Sequence, residues 1–105
     1  MPKPAPMPDS IKVGPHTYSV LRKSTLEMPK DWGSCDPGRL QIWVRNRLKK
    51  SKAQDILLHE IFHAALHSVA NGSSKNEEEA FVEALSPAFL HVLQNNPKFV
   101  EYLTK

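Results

Sequence analysis

The stretch Leu57-Leu58-His59-Glu60-Ile61-Phe62-His63-Ala64-Ala65-Leu66-His67 organises the reading of this chain. Its apolar residues Leu58, Ile61, Phe62, Ala65, Leu66 and Val69 recur at helix spacing, which predicts a helix over 53–70. Ser51 followed by Gln54 reads as a capping box at its start, and Asn71-Gly72 as its stop. Within this helix His59 and His63 are one turn apart on one face, so both imidazoles can reach the same ion. They fall at the edge of the apolar stripe, supported by a core on one side and open to a cleft on the other. Glu60 lies beside them, placed to take a proton from a metal-bound water. A His-Glu-x-x-His unit on a helix is the signature of a zinc hydrolase, most often a peptidase.

A catalytic zinc takes three protein ligands and keeps one position for water. His67 cannot be the third, because it is eight residues from His59, roughly 12 Å along a straight helix. It is kept as a possible substrate or oxyanion contact; His16 and Tyr18 are further oxyanion candidates. The acidic run Glu77-Glu78-Glu79 opens a second helix that Asn76 can cap, and carboxylates in a first turn suit the helix dipole by themselves. Glu79 and Glu83 are one turn apart, so one can bind metal while the other orients a ligand histidine. Helix phase favours Glu78 instead, at the centre of the apolar face of Phe81, Val82, Leu85, Phe89 and Val92. Glu79 is ranked first as third ligand, Glu78 is the alternative and Glu77 stands third, with Glu83 in support.

The Glu-Ala-x-x-carboxylate arrangement resembles the third-ligand helix of the gluzincin peptidases. The wider order of strand, histidine helix, loop and acidic helix is similar to the minimal zincin core of ImmA/IrrE-type metallopeptidases and their small phage-encoded relatives. Gly33-Ser34-Cys35-Asp36, Gln41-Ile42-Trp43-Val44, Leu57-Leu58-His59-Glu60 and Asn95-Asn96-Pro97 carry this likeness over residues 11 to 100. It implies one zinc per chain on His59, His63 and a downstream glutamate, with Glu60 as general base. The expected activity, read from the motif beside a strand, is that of an endopeptidase. The larger members carry more helices or a DNA-binding region, so the likeness does not transfer a substrate.

Around this unit the chain reads as one small α+β domain, residues 11–105, behind a flexible Pro-rich arm at 1–10. The arm carries Pro2, Pro4, Pro6 and Pro8. At 105 residues and 40% hydrophobic content, one core is within reach and a second is not. Ile11 to Val13 and Thr17 to Leu21 flank Gly14-Pro15-His16 as a hairpin. A loop through Gly33 and Pro37 then leads to a third strand, Leu40 to Arg45. The expected sheet is thus short, mostly antiparallel and about three-stranded, packed on the histidine helix and the acidic-start helix. Pro87 should kink the acidic helix or restart it with Ser86 as cap. A short last helix follows from Pro97. In zincins a strand above the metal pairs with substrate backbone. Leu40 to Arg45 is the candidate. Trp32 and Trp43 could then line the cleft, although cover for the sheet is the first reading of both, and Trp43 is kept as a candidate substrate contact.

No apolar run is long enough to span a bilayer and no secretion signal opens the chain. With Cys35 as its one cysteine, it suits a reducing compartment, so a cytoplasmic location is expected, the host cytoplasm if phage-encoded. The charge is +3 and the pI about 9.1, with Arg45, Arg47, Lys49, Lys50 and Lys52 concentrated before the histidine helix. That run could contact nucleic-acid phosphates. No aromatic-interleaved groove accompanies it in sequence, so it reads as a solvated loop. The alternative to a peptidase is an inactive zincin-fold module that binds a partner protein or DNA.

Overall fold

Gly14 takes a left-handed φ of 60°, and this turns strand β1 (Ser10–Val13) tightly into β2 (His16–Lys23). The two pair antiparallel with Val13 opposite His16, the hairpin read from the sequence. The computed structural model describes the backbone of residues 5–70 and 78–105, with side chains except at 69, 70, 78–84 and 86. Two further strands, β3 (Gly33–Asp36) and β4 (Gln41–Arg45), complete a sheet in the order β1-β2-β4-β3. Helices α1 (Lys50–Ala70), α2 (Glu78–Asn95) and α3 (Pro97–Thr104) follow.

The architecture is α+β, but the sheet is mixed and four-stranded. β4 lies parallel to β2, with Val20 opposite Ile42, and β3 pairs antiparallel with β4. The extra strand is a segment expected to be loop: four residues with no β-branched side chain, held by its partner more than by its own propensity. Its arrival also moves β4 inward. The strand expected to offer an edge is paired on both sides, and β3 holds the edge instead. Leu40 (φ 56°) and Arg47 (φ 63°) take left-handed corners just outside the two ends of β4, which limits the strand to five residues.

One face of the sheet is buried. Alternate residues Ile11, Val13, Tyr18, Val20, Ile42 and Val44 point to the helices and meet Leu57, Ile61, Ala64 and Ala65 of α1. Val92 of α2 and Phe99 and Tyr102 of α3 close the core. Phe62 stacks on Phe89 at 4.7 Å between centroids, which ties α1 to α2.

α1 starts earlier than expected, so Ser51 lies within its first turn. Gln54 donates to the Tyr102 carbonyl at 2.8 Å, tying α1 to α3 rather than closing a box. α2 runs through Pro87 as a single element, so of the two expectations, a kink or a restart, the restart does not occur. Ala5 and Met7 of the Pro-rich arm pack against the core, and Asp9 accepts from Val20 N–H at 2.8 Å, so the second half of the arm is seated.

The edge of β1 is closed by a side chain. Asn96, at the α2–α3 junction, accepts from Lys12 N–H at 2.9 Å and donates to the Lys12 carbonyl at 3.0 Å. It donates also to the Val92 carbonyl at 2.7 Å. One carboxamide therefore does for Lys12 what a neighbouring strand would do. Among the described residues no helix is long and apolar enough to cross a membrane.

Candidate metal and active site

α1 brings His59 and His63 to one exposed face, with their Nε2 atoms 3.2 Å apart and their rings edge to face at 73°. Two nitrogens on a tetrahedral zinc, each about 2.05 Å from the ion, stand about 3.3 Å apart. The pair thus has the donor type and the separation that a zinc ion requires. Without an ion or a shared proton, the two nitrogen lone pairs would repel.

Glu60 lies under β3 at Gly33, close enough to His59 and His63 to feel their charge. It is buried, 7% exposed, and has no hydrogen-bond partner among the described residues. Burial lifts its carboxyl above the ordinary carboxylate value; His59 and His63 pull it back down, and Asp31 adds to the rise. The Glu60 carboxylate oxygens are not fully shut off from solvent, so a small molecule such as water can reach them.

Gly33 makes this arrangement possible. A Cβ built there would stand 2.5 Å from Ile56 Cγ2 and 3.0 Å from Glu60 Oε2, so only glycine lets the edge strand lie this close to α1. Gly33 and Cys35 pair with the buried Val44 and Ile42, so they face the helix. Arg45 N–H donates to the Trp32 carbonyl at 2.9 Å, which sets the phase of the ladder. Ser34 and Asp36 accordingly turn their peptide groups to β4, whereas Gly33 and Cys35 turn theirs to the open edge beside Glu60.

Cys35 shares this environment. Its thiol is pushed up to about 11, by burial first and then by the charges of Glu60 and Asp36. Tyr18, buried in β2, is raised by burial, with Cys35 and Asp36 contributing.

Other residues proposed from the sequence are placed elsewhere. Trp43 shares the sheet face of Gln41 and Arg45, opposite the one packed on α1; it donates to Gln41 Oε1 at 3.0 Å and does not join the histidines. His67 is exposed one turn beyond His63, and His16 is exposed at the β1–β2 hairpin. Glu77, and the side chains of Glu78, Glu79 and Glu83, lie outside the described residues. Among the described residues no third His, Cys, Asp or Glu joins the pair.

Gly33 and the β3 edge were the parts missed in sequence. The one available signal was the glycine opening Gly33-Ser34-Cys35-Asp36, since a strand glycine often marks a close backbone approach.

Comparison of the chain with protein-family models, with curated proteins and with solved structures returns no match.

Proposed function

We propose that this protein is a zinc-dependent metallopeptidase with a small zincin-like core, cutting extended polypeptide chains internally. The observation that carries the reading is the His59–His63 pair at 3.2 Å with the largely buried Glu60 within reach of their charge. The bare edge of β3 supports it, because a polypeptide can add there as a further strand through the peptide groups of Gly33 and Cys35.

In this reading His59 and His63 hold the zinc with Glu79, or alternatively Glu78, and Glu83 orients a ligand histidine. The ion, when bound, polarises a water and the scissile carbonyl. Glu60 accepts the proton of the attacking water and returns it to the leaving amine. Its raised affinity for protons suits both transfers, as the acid form must persist long enough to protonate the amine. The β3 edge fixes the peptide so that one bond lies against the histidine face. A location in the cytoplasm belongs to the same proposal.

The test measures zinc by elemental mass spectrometry in the wild type, His63→Ala and Glu60→Gln, alongside hydrolysis of an unfolded protein substrate. The expected result is one zinc per chain in wild type and Glu60→Gln, and none in His63→Ala. Turnover in Glu60→Gln should fall by about a hundredfold or more. A chain that takes up no zinc would transfer support to the non-catalytic binding module. Full turnover in Glu60→Gln would remove Glu60 as the base.

A further inference from the structure

The cationic run Arg45 to Lys52 has no part in the site just described. It places five cations in eight residues with no acid between them. Part of this charge runs against the fold's own electrostatics. Lys50 and Lys52 occupy the first turn of α1, where there is no acidic residue and where the helix dipole favours anions. Lys23 and Arg45 are direct cross-strand partners on β2 and β4, a like-charge pairing that opposes the sheet.

Folding adds what the sequence run lacks. Lys52 Nζ stands 4.0 Å from the ring centroid of Trp32, which is 45% exposed. Lys23 Nζ stands 4.5 Å from the ring of Trp43. Trp32 and Arg45 are joined through their backbones at 2.9 Å, and Arg45 lies opposite Lys23. Lys52, Trp32, Arg45, Lys23 and Trp43 therefore form one continuous band from the start of α1 onto the open face of the sheet. The ion pair within it among the described residues is the exposed Lys23–Glu27 contact at 3.7 Å. Arg45 directs its guanidinium to the neutral Met28 carbonyl, at 3.2 Å from Nε and 2.7 Å from Nη2.

We propose that this band binds single-stranded nucleic acid, with Lys52, Arg45 and Lys23 against phosphates and the exposed Trp32 indole stacked on a base. The charge is complementary to any polyanion, and the rings choose among them. An unpaired base offers a free face to an indole, a duplex keeps its bases stacked, and an acidic peptide gains little from the rings. The band meets β3 at Gly33, so a bound strand would run beside the α1 site without entering it. The inference does not depend on peptidase activity.

The experiment is fluorescence anisotropy of a labelled oligo-thymidine of about 15 nucleotides against the full chain, from 50 to 300 mM NaCl. Saturable binding is expected, with a slope of log K on log salt near −2, as roughly 0.7 per phosphate contact gives for three cations. Trp32→Ala should weaken binding about tenfold and leave the slope unchanged. Lys52→Gln, in the first turn of α1, should make the slope shallower by roughly 0.7. Lys98→Gln, exposed on α3, should change neither. No binding at 50 mM would overturn the proposal. So would equal affinity for a duplex or a poly-glutamate peptide with no response to Trp32→Ala, which would reassign the band to general charge or to acidic peptides.

Discussion

Gly33 fills its place by having no side chain, because Ile56 and Glu60 already occupy the space a Cβ would take. Gly33→Ala should cost about 1–3 kcal/mol by overpacking. Ile56→Ala removes the methyl group in the way, so the glycine substitution should cost much less in that background. A double-mutant cycle by urea unfolding checks this, and equal costs in both backgrounds would deny the contact. Cys35 gives a second residue-scale expectation. Its thiol is held at about 11 against an ordinary 9.0, so the folded state keeps the proton more tightly than the unfolded chain. That stability is present below pH 9.0 and is lost as pH rises through about 11. At pH 8 iodoacetamide should alkylate folded Cys35 about a hundredfold more slowly than the urea-unfolded chain. At this scale the sequence was legible where a role depends on spacing within one helix, as with His59, Glu60 and His63. Gly33 was not, because its role exists only when β3 meets α1.

Among the elements, β1 depends on a single side chain from the far end of the fold. Asn96→Ala would remove three hydrogen bonds, leaving the buried Val92 carbonyl and the partly buried N–H and C=O of Lys12 without this partner. The expected loss is about 2–4 kcal/mol, seen as a lower urea midpoint with the slope of the transition unchanged. The hairpin, the histidine helix and the last helix were readable because Gly14-Pro15, helical periodicity and Pro97 are local signals. β3 was not readable, since its four residues carry no strand pattern and it forms by pairing with β4. The parallel placing of β4 beside β2 likewise follows from tertiary packing, and nothing within either strand encodes it. The Ser51–Gln54 pair was misread because the helix begins before it, which puts Ser51 inside the first turn instead of at the cap.

For the molecule as a whole, zinc and folding should be linked. If His59 and His63 hold the ion only when α1 is formed, free zinc at about a hundred times its Kd adds about 2.7 kcal/mol to stability. For a chain of this size that raises Tm by about 10 °C. Differential scanning calorimetry with zinc and with chelator would show the shift in wild type and none in His63→Ala. Composition conveyed that the chain is small and mildly basic, but the continuity of the cationic band with Trp32 and Trp43 arises only on folding. The Asn96 clasp has a consequence of another kind. It joins positions 84 residues apart. A ribosome makes Lys12 long before it makes Asn96, so during synthesis the hairpin waits with one side bare. Closure waits until Asn96 has emerged from the ribosome. The nascent chain is then the form most exposed to strand exchange with its neighbours, and slowing the ribosome would lengthen that exposure.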